Sequence, residues 1–181
     1  MIAVTGYRTT IAQELSQFDQ IERLDTDRLP RGIDKFVLAA GLLHGKRLLD
    51  LSPVDAYETV QANMVSPMRL CERILAEIPT ARICVIGSCS GIKGSFDELY
   101  AASKAGLHQY VKTRKVGERQ QLVAVAPIII ADSGMTRRRS DYPEVLETRK
   151  TVTAREVAAI VYGLLTMIPV VSNQVIPVGE C

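Results

Sequence analysis

The chain has 181 residues, 47% hydrophobic and 23% charged. That is enough for one domain over residues 1–181 with a core of its own, and both fractions are ordinary for a soluble globular protein. A net charge of +2 gives no strong pull toward nucleic acid or an anionic membrane surface, so neither is expected as a partner. No apolar run reaches the roughly 18 residues that span a bilayer.

The elements alternate along the chain. IAVTG (2–6) is a short apolar run ending in Gly, which predicts a buried strand. TTIAQELSQF (9–18) carries apolar residues at helical spacing, and QIERLD (20–25) is a second strand. DKFVLAAG (34–41) is a third. Residues 52–79 predict one long helix, opened by Ser52 and Pro53 and kinked at Pro67. Its apolar stripe runs Val54, Tyr57, Val60, Met64, Met68, Cys71, Ile74, Leu75 and Ile78. ARICVIGS (81–88) is a fourth strand, apolar in the centre as parallel strands are. Residues 98–118 are helical, and QLVAVAPIIIA (121–131) is a fifth strand. Residues 131–150 are polar and irregular. TAREVAAIVYGLLTMI (153–168) is a helix with a Thr153–Glu156 capping box, and NQVIPVG (173–179) is the last strand. Such alternation predicts a Rossmann-like, doubly wound parallel sheet in a three-layer α/β/α sandwich. Ligands bind at the carboxyl ends of such strands, where the irregular segment would lie.

The four cysteines, at 71, 84, 89 and 181, show neither metal-ligand nor disulfide spacing. Three of the four read as small core residues, and a reducing cytoplasm is the simplest compartment. The start, MIAVTG, lacks a signal-peptide pattern. No metal is expected.

In folds of this kind the first strand-to-helix turn holds a pyrophosphate on the helix N-terminus. Here the turn reads TGYRTTIA, offering Gly6, Arg8, Thr10 and Ile11. An acidic residue about 20 positions on can accept from a ribose 2′-hydroxyl. Asp25, 19 past Gly6, favours NAD. Arg8 and Arg28 can instead hold the 2′-phosphate of NADP, and both readings stay open.

Tyr100 and Lys104 are one helical turn apart and leave the helix on one face. A phenol has a pKa of about 10. A lysine cation about 4 Å away contributes on the order of 4 kcal/mol at an effective dielectric near 20. That is up to about three pH units of tuning toward proton transfer, which burial opposes. Ser88 ends the fourth strand, where a hydroxyl can bond a substrate oxygen. Alone, the Tyr–Lys pair is also an ordinary surface pair. His44 reads as a loop residue and His108 as a helix-face residue.

Taken together, AVTG, VLAAG, ANMVSP, ICVIGSCSGIKG, YAASKAGL and VAPIIIADSGMT stand in the order of the short-chain dehydrogenase/reductase family, which the chain resembles over nearly its whole length. The resemblance implies a catalytic tetrad of Asn63, Ser88, Tyr100 and Lys104. Tyr100 would be the general acid/base. Lys104 would lower its pKa and hold the ribose, Ser88 would orient the substrate, and Asn63 would fix a relay water. It also implies cofactor contacts from Ala40, Gly41, Pro127 and Thr136, NAD or NADP as cofactor, a carbonyl or alcohol substrate, and a homodimer or homotetramer. The cluster TRRRSD (136–141) suits an anionic substrate or a solvated lid.

Three departures stand out. Thr10 and Ala12 replace two glycines of the first turn, and Ile128 replaces the glycine after Pro127. Gly41 follows Gly6 by only 35 residues, which implies that a strand–helix unit after the second strand is trimmed away. These departures keep a second reading open, a nucleotide-binding sensor or scaffold with the fold but little turnover.

Overall fold

The computed structural model describes residues 1–6, 8–139, 141–167 and 171–181. Tyr7 of the first turn, Ser140 of the arginine cluster and Ile168 at the end of the expected last helix lie outside them.

Six strands form one parallel sheet: β1 (Ile2–Thr5), β2 (Ile21–Arg23), β3 (Lys35–Leu38), β4 (Arg82–Ile86), β5 (Gln121–Pro127) and β8 (Gln174–Val178), in the order β2-β1-β3-β4-β5-β8. Successive side chains of a strand point to opposite faces, and the core divides accordingly. Ile2, Val4, Val37, Cys84, Ile86, Val123 and Val125 pack on one face with helices α1 (Thr10–Leu15) and α8 (Ala154–Thr166). Ala3, Phe36, Leu38, Ile83, Val85, Leu122 and Ala124 pack on the other with α3 (Ser66–Glu77) and α5 (Glu98–Thr113). The expected three-layer, doubly wound sheet is therefore present. The α8 helix shows the cause locally: Thr153 and Glu156 close the capping box, and Val157, Val161, Leu164 and Leu165 are buried. Each such side chain contributes about 1.5–3 kcal/mol of transfer free energy.

Chain order reverses between β1 and β3, so the crevice for a ligand opens at their carboxyl ends. Leu24–Asp34 passes from β2 to β3 without helix or strand, so β2 is the edge and the expected trimming is real.

Four elements differ from the sequence reading. The long helix is α2 (Pro53–Val60), a π-helical turn (Gln61–Val65) and α3. The irregularity precedes Pro67, which has no N–H to give the Asn63 carbonyl four residues earlier. Val54 and Tyr57, expected in the apolar stripe, are exposed, whereas Cys71, Ile74 and Leu75 are buried. The fifth strand ends at Pro127; Ile129–Ile130 (β6) leaves the sheet to pair with Thr151–Val152 (β7). The irregular segment holds two helices, α6 (Gly134–Arg137) and α7 (Tyr142–Thr148). A further short helix, α4 (Ser90–Lys93), follows β4.

The cysteine expectation is corrected in part. Cys71 and Cys84 are free and buried, but Cys89 and Cys181 form a disulfide with Cα atoms 5.4 Å apart, closing a separation of 92 residues. Spacing could not show this, because the sheet order brings the end of the chain beside the turn after β4.

Candidate functional site

The crevice begins at Gly6. Its φ of +64° suits glycine, and a Cβ there would stand 2.9 Å from the Ala40 backbone nitrogen. Gly6 thus lets the turn after β1 close against the end of β3. Thr9 caps α1 by accepting the Ala12 N–H. Thr10 donates its hydroxyl to the Asp132 carbonyl at 3.4 Å, across to the segment after β5. Ile11 points into the core at 6% exposure, so only its backbone faces the turn. Arg8 is exposed and lines a shallow cleft with Gln13 and Gln17 on the outer flank of α1. Asp25 and Arg28 are both exposed beyond β2, and Asp25 accepts the Asp27 N–H.

Across the crevice, α5 carries the tyrosine and the lysine. Asp97 caps this helix by accepting the Tyr100 N–H, and its other oxygen accepts the Gly45 N–H at 3.2 Å. That fixes the loop after β3 against the start of α5. Tyr100 and Lys104 are 9% and 4% exposed, and the lysine nitrogen lies 5.7 Å from the centre of the phenol ring. Lys104 Nζ donates to the Ile86 carbonyl at 2.9 Å. That is its one hydrogen bond among the described residues, and an ammonium has three donors.

Burial pushes the Tyr100 phenol above its ordinary value; the nearby Ser88 hydroxyl pulls it down, and the Asp97 carboxylate adds to the rise. The expectation that lysine lowers the tyrosine is therefore corrected for this state, since desolvation wins. Burial also pushes Lys104 down to about 8.

Ser88 follows β4, and its Oγ accepts the Ser90 N–H at 3.1 Å. Asn63 lies in the π-helical turn, fully buried. Its amide donates to the Leu42 and Thr59 carbonyls at 2.7 and 2.9 Å and accepts the Leu42 N–H at 3.1 Å. That side chain clamps the loop after β3 to the helix. Gly41 stands between the two halves. A Cβ on it would meet Asn63 Oδ1 at 3.1 Å and Lys104 Nζ at 3.8 Å.

At the end of β5, Pro127 is buried and pairs with Val178. The side chain of Ile128 lies over Gly179; a Cβ on that glycine would be 2.5 Å from Ile128 Cδ1. Ile128 is thus accommodated by a second glycine. Thr136 is buried, and its hydroxyl accepts from Ser133 at 2.9 Å. Arg137, Arg138 and Arg139 are exposed, and Arg139 is paired with Asp141.

The profile of the family described as short chain dehydrogenase matches residues 2–143. The chain belongs to the short-chain dehydrogenase family. Its similarity to solved structures agrees. One, "Crystal structure of gox2181", is 21% identical, with a TM-score of 0.77 over 98% of this chain and 93% of that one. Another, a short-chain dehydrogenase/reductase from Brucella melitensis described as glucose/ribitol dehydrogenase, is 17% identical, with a TM-score of 0.79 over 98% and 94%. At these identities the likeness speaks for fold. No curated protein matches the sequence.

For a short-chain dehydrogenase the four residues named from sequence stand around one crevice. Sequence reasoning missed two histidines. His108, expected on the helix face, is buried against Ser88. His44, expected in a loop, has a buried Nε2 without a partner among the described residues, and it converges with Asp55 and Glu58 to within 4.8 Å. Lys46 already pairs with Asp55 at 3.5 Å. The α5 spacing of four from Lys104 to His108 was the available signal for the first.

Proposed function

We propose that the protein is an NAD(P)-dependent oxidoreductase moving hydride between a nicotinamide and a carbonyl or alcohol, with Tyr100 as general acid/base. The observation that carries this reading is the buried Tyr100 phenol beside the buried Lys104 ammonium, whose nitrogen lies 5.7 Å from the ring centre, at the switch point of the sheet.

The residues fit the nicotinamide-ribose end of a dinucleotide. Two donors of Lys104 are left for ribose hydroxyls, and Gly41 keeps the floor of the crevice free of a side chain. Ile128, turned onto Gly179, leaves its backbone to line the crevice. When bound, the dinucleotide supplies or accepts the hydride. Asp25 at the end of β2 suits the adenosine ribose and favours NAD; Arg8 and Arg28, both exposed, suit NADP.

With its pKa raised, Tyr100 holds its proton at neutral pH. It is therefore set to give that proton to a substrate carbonyl oxygen as the carbonyl is reduced. The Ser88 hydroxyl orients the same oxygen. The Asn63 carbonyl and Lys104 hold a relay water that returns a proton to Tyr100. Arg137 and Arg138 favour an anionic substrate.

Val54 and Tyr57, 64% and 66% exposed on α2, favour a homodimer or homotetramer, and light scattering at micromolar concentration tests it. A cytoplasmic location makes a further demand, since a reducing compartment would keep Cys89 and Cys181 as thiols.

The direct test is a thermal-shift titration with NADH and NADPH, followed by a carbonyl screen with wild type and Tyr100→Phe. Loss of a general acid costs on the order of 10²–10⁴ in rate. No stabilisation by either nucleotide would sink the reading. Binding without turnover across the screen would favour the sensor or scaffold. The Thr10–Asp132 hydrogen bond, which bridges the pyrophosphate side of the crevice, is the observation on that side.

A further inference from the structure

Tyr100, Lys104 and His108 succeed one another at intervals of four along α5, so one helix face carries a phenol, an ammonium and an imidazole. The first two belong to the site described above. His108 has no role in it, yet it is 3% exposed, and burying a polar ring without partners is costly.

The ring has a partner. His108 Nε2 accepts the backbone N–H of Ser88 at 3.3 Å. The slot that admits it is made by two glycines. A Cβ on Gly87 would lie 2.2 Å from Nε2, and a Cβ on Gly91 would lie 2.9 Å from Cε1. Neither position tolerates a side chain while the ring stays in place. An imidazole that accepts through Nε2 carries its proton on Nδ1. Burial, with the Lys104 and Lys112 cations, pushes its pKa down to about 4, against a hydrogen bond with the Gly91 backbone that favours the protonated ring. The acceptor nitrogen is therefore kept free at neutral pH.

Ser88 sits in a short turn between β4 and α4. Its Oγ accepts the Ser90 N–H at 3.1 Å, and the same hydroxyl pulls the pKa of the neighbouring Tyr100 phenol down. If the Ser88 backbone shifts, the hydroxyl changes its place relative to the phenol. We propose that His108 is a positioning residue: by accepting the Ser88 N–H from behind the turn, it holds the Ser88 hydroxyl against Tyr100. It touches neither substrate nor cofactor, and it acts through Ser88. The consequence for rate rests on the oxidoreductase reading; the consequence for the Ser88 turn does not.

The test uses the full chain with His108→Leu, which removes the acceptor, and His108→Gln, which restores an acceptor oxygen on a flexible stem. Amide hydrogen exchange at Ser88 is the first readout, with circular dichroism to show that both variants fold. Loss of one such bond is expected to speed Ser88 exchange by about tenfold in His108→Leu, with the rest of α5 unaffected and partial recovery in His108→Gln. Steady-state kinetics is the second readout. His108→Leu should lower kcat by about tenfold with KM for the dinucleotide unchanged. It should also move the pH limb set by Tyr100 upward, because the Ser88 hydroxyl that lowers the phenol is then less well placed. Unchanged Ser88 protection in a folded His108→Leu overturns the proposal. So does full activity with an unmoved pH limb. A wild type without turnover counts against the oxidoreductase reading alone, and the exchange at Ser88 then decides the role of His108 by itself.

Discussion

Replacing Lys104 by Met keeps the length of the side chain and removes a buried cation. Burial lowers the Lys104 pKa from 10.5 to about 8 in the folded protein. The folded state releases this proton near pH 8, while the unfolded chain keeps it until about pH 10.5. Between those values the unfolded state binds more protons, so stability rises with pH. At about 1.36 kcal/mol per pH unit the full window makes about 3 kcal/mol. Tyr100 acts the other way: its raised pKa means that the unfolded chain ionises first, and stability falls above about pH 10. The useful window is therefore pH 8 to 10. Lys104→Met also strands the Ile86 carbonyl, which costs about 1–3 kcal/mol at every pH. The absolute order of the two proteins is thus less informative than their slopes. Urea unfolding at pH 7, 8, 9 and 10 should give wild type a steeper rise than Lys104→Met, by up to about 1.4 kcal/mol per unit. Parallel curves would refute the buried, destabilised ammonium, and with it the electrostatic account of the site.

Gly6→Ala should cost about 1–3 kcal/mol in denaturant unfolding, because the residue sits at φ +64° and its Cβ would press on the Ala40 backbone. A loss under half of that would mean that the turn after β1 can move away from β3. Non-reducing peptide mapping should find Cys89 joined to Cys181, and thiol titration of the native oxidised protein should find no accessible thiol. Cys181→Ser should lose up to about 4–5 kcal/mol in unfolding, as expected for a loop closed across a separation of 92 residues. Unaltered stability with the cross-link verified would contradict the chain-entropy account.

The sheet was legible because its central strands are apolar runs bounded by Gly or polar residues, as in ARICVIGS, and these patterns follow from burial on both faces. The α8 helix was legible through its capping box. The departures have local causes. Pro127 is followed by Ile128, whose bulk turns toward Gly179 as the chain leaves the sheet; a period count cannot see a residue 51 positions away. Val54 and Tyr57 carry the helical period of the rest of the stripe, but in a single chain nothing covers them. At the site, the residue types and their spacing were readable, and the balance of burial against charge was not. Lys104 was expected to govern the phenol, yet the depth at which both sit decides the sign for Tyr100. His108 was unreadable for the same reason: an acceptor role depends on the two glycines that clear its slot.

The bond between Cys89 and Cys181 also changes what a cut in the chain would do. Residues 89 to 181 form a covalent ring that contains α5, β5, the arginine-bearing α6 and α8. A protease that opens the ring at the exposed Arg137–Arg139 leaves both pieces attached. On a gel the nicked protein would run as one species until a reductant is added, and then as two. The segment that bears the arginines can thus be clipped without the molecule losing β8, which packs against α5.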